Sequence, residues 1–261
     1  MTDGPRFDAV LASFDVALVR APNPGSFTLS GTNTWIIGRE GCWVVDPGPA
    51  LPAHLEAVAA EAVRRGGVAG IALTHDHADH SEGIEALRAR TGAPLVGAAR
   101  AADVVLGDGS RFGPLETIAT PGHAPDHLAY VAGGVCFSGD AVLGAGSVFV
   151  APGPGALASY LAALRRLRER ALEVICPGHG PPVLDPRSKL DEYLAHRLER
   201  EEGLLKALEG GARSADELLD ATWGDVPPDL RPAAAVTLAA HLDKLEEEDR
   251  LPAGVERPSF A

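Results

Sequence analysis

The sequence predicts an α/β protein followed by a small helical tail, and three observations carry that reading. Up to about residue 185, short apolar runs alternate with amphipathic segments and turn signals. After Asp185-Pro186 the strand runs thin out and helical periodicity takes over. The chain has 261 residues, 46% hydrophobic and 23% charged, which is enough for a full core and excludes disordered and fibrous classes. Interleaved strands and helices bury their apolar faces most simply as helices layered on sheets. The boundary is placed near 186, dividing residues 1–185 from a tail of 186–261.

Taken in order, Thr34–Ile37 and Cys42–Val45 read as neighbouring strands, the second closed by the Asp46-Pro47-Gly48-Pro49 turn. Leu51–Arg65 reads as a helix, with Pro52 in its first turn and Gly66-Gly67 past its end. Ile71–Leu73 is a strand, Ser81–Arg90 a helix stopped by Gly92, and Pro94–Val96 a strand. Leu115–Ala119, His127–Val131 and Val135–Phe137 follow as strands, the last two hinged at Gly133-Gly134. Gly144–Gly155, rich in Gly and Pro, is a long loop before the helix Leu157–Arg170, and long loops inside compact domains are often functional. Leu172–Cys176 is one more strand. In the tail, Ser188–Glu209 is helical, Ser214-Ala215-Asp216-Glu217 is a capping box opening a short helix, and Asp229–Asp249 holds another with Pro232 in its first turn.

The formal charge of −13 repels polyanions at long range, which disfavours non-specific nucleic-acid coating. Three dispersed cysteines, Cys42, Cys136 and Cys176, each sit in an apolar stretch and read as buried thiols in a reducing compartment. With no secretory or targeting pattern at the start and no run of 18 apolar residues, the expected location is the cytoplasm, away from membranes.

The chemistry is concentrated in Thr74-His75-Asp76-His77-Ala78-Asp79-His80. In extended chain, residues i and i+2 face one side, so His75 and His77 can grip one metal just past a strand, while Asp79 and His80 can hold a second at the turn into a helix. Further ligands stand in equivalent places: His123 after Pro121-Gly122, Asp140 after Ser138-Gly139 and His179 after Pro177-Gly178, each a few residues past an apolar strand with a glycine before it. Strand ends are where α/β folds collect their sites. A set made only of imidazole and carboxylate suits zinc best, with manganese, iron and nickel also compatible. Asp140 can bridge two ions through its two oxygens. Two such ions would share a water, lower its pKa toward roughly 7 and make a bridging hydroxide the nucleophile. Asp79 is placed to handle protons.

Asp46, at another strand end, can accept a hydrogen bond from the ligand loop and orient an imidazole; a plain Asp-Pro-Gly turn is the alternative. His127 is read as structural or as a support behind a ligand. His54 and His241 are read as solvent-facing helix residues.

With those residues quoted, the chain resembles the metallo-β-lactamase-fold superfamily: His75-x-His77-x-Asp79-His80, then His123, Asp140 and His179, match its ligand motifs in identity and order. The resemblance implies a four-layer αββα sandwich over roughly residues 10–185, with a two-zinc site at one edge in which His75, His77 and His123 bind one ion, Asp79, His80 and His179 the other, and Asp140 bridges. True zinc β-lactamases often carry Cys where Asp140 stands and lack a match to Asp79, so the pattern is closer to glyoxalase II, persulfide dioxygenases and the nuclease branches. More narrowly, Asn33-Thr34-Trp35-Ile36, Thr120–His127, Cys176–Pro181 and His196-Arg197-x-x-Arg200-Glu201 resemble the β-lactamase-like-protein-2 subfamily, which has a winged-helix-like domain after the sandwich. The animal mitochondrial member of that subfamily is a zinc-dependent endoribonuclease on single-stranded RNA, and bacterial members are assigned mostly as hydrolases.

These readings predict a two-zinc hydrolase of an ester, thioester or phosphodiester. The alternatives are a single-stranded-RNA endoribonuclease, a glyoxalase II-type thioesterase, a persulfide dioxygenase with one iron, and a DNA-binding regulator. Charge disfavours the last. From Arg187 onward there are ten Lys and Arg against 17 Asp and Glu, and the helix that would read a groove, Pro232–Leu245, has only Lys244 as a base. Its Ala and Leu content instead favours packing on the catalytic domain or on another subunit. Gly144–Gly155 is expected to form part of the pocket wall.

Overall fold

Along Asn33–Ile37, Trp35 and Ile37 face one apolar layer while Ile36 faces another, and the same alternation in other strands stacks the chain into layers. The computed structural model describes residues 4–98 and 102–259. Its elements begin with α1 (Gly4–Ser13), β1 (Val16–Arg20), β2 (Asn33–Ile37), β3 (Cys42–Val45), α2 (Pro52–Arg64) and β4 (Val68–Ala72). Next come α3 (Ala78–Ser81), α4 (Ile84–Thr91), β5 (Leu95–Gly97), β6 (Val104–Val105), β7 (Arg111–Phe112) and β8 (Leu115–Ala119). The sandwich ends with β9 (Leu128–Ala132), β10 (Val135–Gly139), α5 (Ala156–Arg168) and β11 (Val174–Pro177). The tail holds α6 (Pro186–Glu209), α7 (Ala215–Trp223), a short 3-10 turn at Pro228–Leu230, and α8 (Arg231–Glu247).

One sheet runs β1-β2-β3-β4-β5-β6 and the other β11-β10-β9-β8-β7. The first is antiparallel from β1 to β3 and parallel from β3 to β6; the second is antiparallel except where β10 meets β11. Between the sheets lie Trp35, Val45 and Val96 from one and Tyr130, Phe137 and Val174 from the other. On the outer face of the first sheet, Ile36, Val44 and Ile71 pack against Val58 of α2 and Leu87 of α4. On the outer face of the second, Ile118, Val131 and Ile175 pack against Leu157 and Leu164 of α5. The order helix, sheet, sheet, helix is the four-layer αββα sandwich.

The tail folds around Leu204, Leu218, Trp223, Leu238 and Leu242. Its helices start where the chain can satisfy their free N–H groups: Asp185 accepts from Ser188 N at 3.0 Å with Pro186 next, and Ser214 and Glu217 form a reciprocal capping box. Beyond α8 the chain returns alongside the α6–α7 turn, with Glu256 N donating to Arg213 O at 2.8 Å. Helix α6 belongs to both parts: Leu190 and Tyr193 complete the outer core of the second sheet, and Leu204 and Leu208 enter the tail core.

Two expectations fail here. His54 and His241 are buried, not solvent-facing. His54 shares the inner face of α2 with Leu55, Val58 and Ala62, and its Nε2 lies 3.0 Å from both Thr34 Oγ1 and Pro47 O. His241 is enclosed because α8 is covered on two sides, by the tail core at Leu238 and Leu242 and by the sandwich at Ala240. All three cysteines are buried free thiols. Burial pushes the Cys136 thiol up to about 12 and raises those of Cys42 and Cys176 as well. No helix among the described residues is long and apolar enough to cross a membrane.

Candidate metal centre

Four strands end at one edge of the sandwich and each hands the chain to a ligand loop. Strand β4 leads to Thr74–His80, β8 to His123, β10 to Asp140 and β11 to His179. Asn33 at the start of β2 ties the two sheets together at this edge: its N donates to Gly178 O at 2.8 Å and its Nδ2 to Gly180 O at 2.8 Å.

Hydrogen bonds on the far side of each ring decide which nitrogen faces the centre. Thr74 Oγ1 donates to Asp46 Oδ2 at 2.8 Å, so it can only accept from His75 Nδ1, 3.0 Å away. That leaves the His75 Nε2 lone pair pointing inward. His80 Nδ1 donates to Asp46 Oδ2 at 2.9 Å, and His123 Nδ1 to the carbonyl of Phe149 at 3.3 Å, with the same consequence for their Nε2 atoms. Asp46 thus supports two imidazoles from beneath, one directly and one through Thr74, and also accepts Thr74 N at 2.8 Å.

His127 points elsewhere. Its Nε2 accepts the N–H of Asp140 at 3.0 Å and its Nδ1 donates to Thr120 Oγ1 at 2.7 Å, so no lone pair is left for a metal and its work is to hold the Asp140 turn.

The inward atoms converge. His77 Nδ1 lies 2.9 Å from both His75 Nε2 and His123 Nε2. A ring nitrogen has one in-plane proton or one lone pair and can satisfy one such partner, so three at this spacing fit donors around a shared cation better than a hydrogen-bond chain. His179 Nε2 lies 3.1 Å from Asp79 Oδ2 and 3.3 Å from His80 Nε2. Asp140 stands between the groups, with Oδ1 3.6 Å from His80 Nε2 and Oδ2 3.4 Å from His179 Nε2 and 3.7 Å from His123 Nε2. Three overlapping sets bring their donor atoms within 4.8 Å of one another: His75, His77 and His123; Asp79, His80 and His179; and His75, His80 and Asp140. Asp140 Oδ1 is buried with no hydrogen-bond partner, the kind of orphaned acceptor that a cation would satisfy. The residues present therefore fit a metal pair.

Burial holds the His75 imidazole well below its usual range, with nearby His80 and His127 adding to the effect, and brings His123 to about 4 and His127 to about 3. Burial also pulls down on His80 and His179, but there the carboxylates prevail: Asp140 and Asp46 raise His80 well above its normal value, and Asp140 and Asp79 raise His179 to about 9. Burial opposes ionisation of Asp140, yet His80 and His179 hold it far below the ordinary carboxylate range. In the metal-free protein the carboxylates thus hold protons on His80 and His179, and a cation entering the centre would take the place of those protons.

A cavity of about 700 Å3 opens over it. His77, Asp79 and His179 form part of its floor, and the 144–155 loop contributes Val148 and Phe149. Sequence reasoning did not anticipate the outer wall, which the tail supplies through Trp223, Leu230, Ala233 and Thr237, nor the supports Thr74, Thr120 and the Phe149 carbonyl. The two threonines are legible in hindsight as polar residues closing strands just before the ligand motifs. The tail wall has no local signal because it is assembled by tertiary packing.

Comparison with known proteins agrees with this geometry. The family model described as "Metallo-beta-lactamase superfamily" matches residues 27–113 and 100–179, and "Beta-lactamase associated winged helix domain" matches residues 214–252. The chain is 30% identical to "Beta-lactamase-like protein 2 homolog" of Caenorhabditis elegans, covering 94% of this chain and 87% of that protein. It is 31% identical to "Atrochrysone carboxyl ACP thioesterase" of Aspergillus chevalieri, over 82% and 75% of the two chains. The crystal structure of a metallo-beta-lactamase family protein from Thermus thermophilus is similar with a TM-score of 0.73 at 25% identity, covering 90% of this chain and 94% of that one. Fold, ligand edge and tail thus lead to one assignment: this chain belongs to the metallo-beta-lactamase superfamily, as a metal-dependent hydrolase with a winged-helix domain at its C-terminal end.

Proposed function

We propose that the chain hydrolyses a small ester or thioester at a two-metal centre. His75, His77 and His123 would hold one ion and Asp79, His80 and His179 the other, with Asp140 standing between the two sets; the donor set favours zinc. Such ions, when bound, polarise a scissile carbonyl and lower the pKa of water in their reach. The chain's own residues do the rest. Asp46, with Thr74, keeps His75 and His80 in the tautomers that offer Nε2, and His127 fixes the Asp140 turn. Asp79, whose side chain is 30% exposed toward the cavity and which accepts from Thr32 Oγ1 at 3.3 Å, is the carboxylate placed to take up and return a proton near the leaving group. In this reading residues 1–185 carry the ligands and the tail closes the substrate site.

The observation that carries the substrate class is the cavity itself. Its volume of about 700 Å3 is that of a small-molecule site. Phe27, Leu29, Val148, Phe149 and Leu230 give it apolar walls suited to an acyl group. A strand of RNA needs an open basic groove. Helix α8 is not free to read a groove: its Thr237 to Leu242 are buried, and Gly153 N and Gly155 N of the long loop donate to its Asp243 and Glu247 at 2.8 and 2.7 Å. A thioesterase among the relatives supports the same choice.

The test is hydrolysis of short-chain acyl thioesters and esters by zinc-loaded protein, beside a labelled single-stranded RNA, with Asp140→Asn in parallel. Metal-dependent thioester cleavage lost in the variant supports the proposal. RNA cutting lost in the variant, with thioesters untouched, overturns it.

A further inference from the structure

Beyond the metal centre, the same cavity contains a charge that the fold leaves uncompensated. Arg197, on α6, lines the cavity and is only 2% exposed. Its guanidinium lies over the Tyr160 ring, 5.5 Å from the ring centre, and Nη2 donates to Ser147 Oγ at 2.9 Å and to the carbonyl of Val148. Its Nε is buried with no partner. Among the described residues no carboxylate stands within ion-pair distance of Arg197. Of the neighbouring charges, Arg200 pairs with Asp225 at 2.7 Å, Glu192 with Lys189 at 2.8 Å and Glu201 with Lys244 at 2.8 Å, while Glu199 is exposed at the cavity rim and makes no ion pair with Arg197. A desolvated guanidinium is costly unless it is paired, and neutral oxygens with an aromatic face compensate only in part. Its connection to the chemistry is short, since Arg197 holds Val148 and the carbonyl of the next residue, Phe149, receives His123 Nδ1.

We infer that Arg197 is a specificity-determining residue which binds an oxyanion on one arm of the substrate, so that the ester or thioester cleaved here carries a carboxylate or a phosphate at the end reaching the tail. The inference rests on the hydrolase reading above and narrows its substrate class. The unpartnered Nε–H is a charged donor that an oxygen of either anion can accept, and the ligand supplies the counter-charge that the protein withholds.

The test compares thioesters that differ only in that charge, using zinc-loaded protein. In one arm, the N-acetylcysteamine thioester of glutarate is set against that of glutarate monomethyl ester. In the other, butyryl-phosphopantetheine is set against butyryl-pantetheine. The wild-type protein is expected to prefer the anionic member of one pair by about 10- to 100-fold in kcat/KM, mainly through KM, as a charged hydrogen bond predicts. Which pair responds distinguishes an acyl carboxylate from a leaving-group phosphate. Arg197→Gln should erase that ratio, and Arg197→Lys should restore part of it. Absence of discrimination by the wild type in both pairs overturns the inference. So does an equal fall for both members of a pair in Arg197→Gln, because a residue that only pins the 147–149 loop slows all substrates alike. If no thioester is cleaved, the hydrolase reading fails first, and thermal melting decides this one: glutarate or inorganic phosphate should raise the Tm of wild-type protein and not that of Arg197→Gln. If Arg197→Gln does not fold, the wild-type ratios and the Arg197→Lys variant carry the decision.

Discussion

At the residue scale, the candidate ligands could be named from the sequence because chemistry limits what a metal centre can use and strand ends limit where it can lie. Three histidines and two aspartates between His75 and His80 drew attention to a metal centre, and they made solitary His123, Asp140 and His179 visible by analogy of position. The structure brings all seven together. His54 and His241 show the limit of the same reasoning, since a polar residue on a helix is exposed only if its face is, and the face is set by neighbours far off in sequence. The support residues yield the sharper predictions. Asp46→Ala removes the acceptor shared by Thr74 and His80 and should lower metal affinity or activity by about 10- to 100-fold, read by metal titration and kcat/KM. Unchanged affinity would return Asp46 to the role of a turn residue. His127→Ala leaves the buried Asp140 N–H without an acceptor, so about 1–3 kcal/mol of stability should go with it, measurable by denaturant unfolding of the metal-free protein.

At the element scale, periodicity found the long helices and central strands to within a few residues, because the helices bury one apolar face and the central strands are packed on both sides. It missed α1, β1, β6 and β7, where short length or edge position leaves few fully buried residues to set a pattern. The glycines before the ligands were read as turn formers, and the structure adds a second reason at Gly178: a Cβ there would stand 2.4 Å from Asp140 Oδ1 and 2.7 Å from His80 Cε1. Gly178→Ala should therefore displace the ligands of a folded protein, with less than full metal content by elemental analysis and near-native far-UV circular dichroism as the expected pair of results. Helix packing also makes a pH prediction. His241, on the face of α8 turned toward Glu201 of α6 and Trp223 of α7, is depressed to about 3 by burial first and then by Arg197, Lys244, His196 and Arg200, with Glu201 Oε2 3.9 Å away. The unfolded chain takes up this proton at about 6.5 and the folded chain does not. Stability should therefore be complete above pH 6.5 and fall on acidification toward pH 3, by up to about 1.4 kcal/mol per unit from this residue. A His241→Leu protein should show a shallower acid slope in urea unfolding; an identical slope would remove His241 from the account.

At the scale of the whole molecule, the question is whether sandwich and tail are two units or one. Composition placed a division near residue 186, but the packing runs across it. Leu190 and Tyr193 of α6 are each 1% exposed within the outer core of the second sheet. Tyr193 Oη accepts the N–H of Leu143, Thr237 Oγ1 that of Val150, and Arg197 grips Val148, so the tail fastens the long loop that leans on His123. Losing two such side chains from a core removes about 1.5–3 kcal/mol each in burial alone. The freed loop amides and newly exposed faces of α5 add to that, against a typical total stability of about 5–15 kcal/mol. A chain ending at residue 185 is therefore expected to lose cooperative unfolding and to bind less than its full metal complement, although it keeps every proposed ligand. In the complete chain, fluorescence from Trp35 and Trp43 in the sandwich and from Trp223 in the tail should report a single melting transition. Tryptophan-to-phenylalanine variants that leave one reporter on each side separate the two signals. Coincident midpoints mean that the substrate cavity and its outer wall fold together, while two midpoints, or a truncated chain that melts sharply with full metal, would make the tail an independent domain.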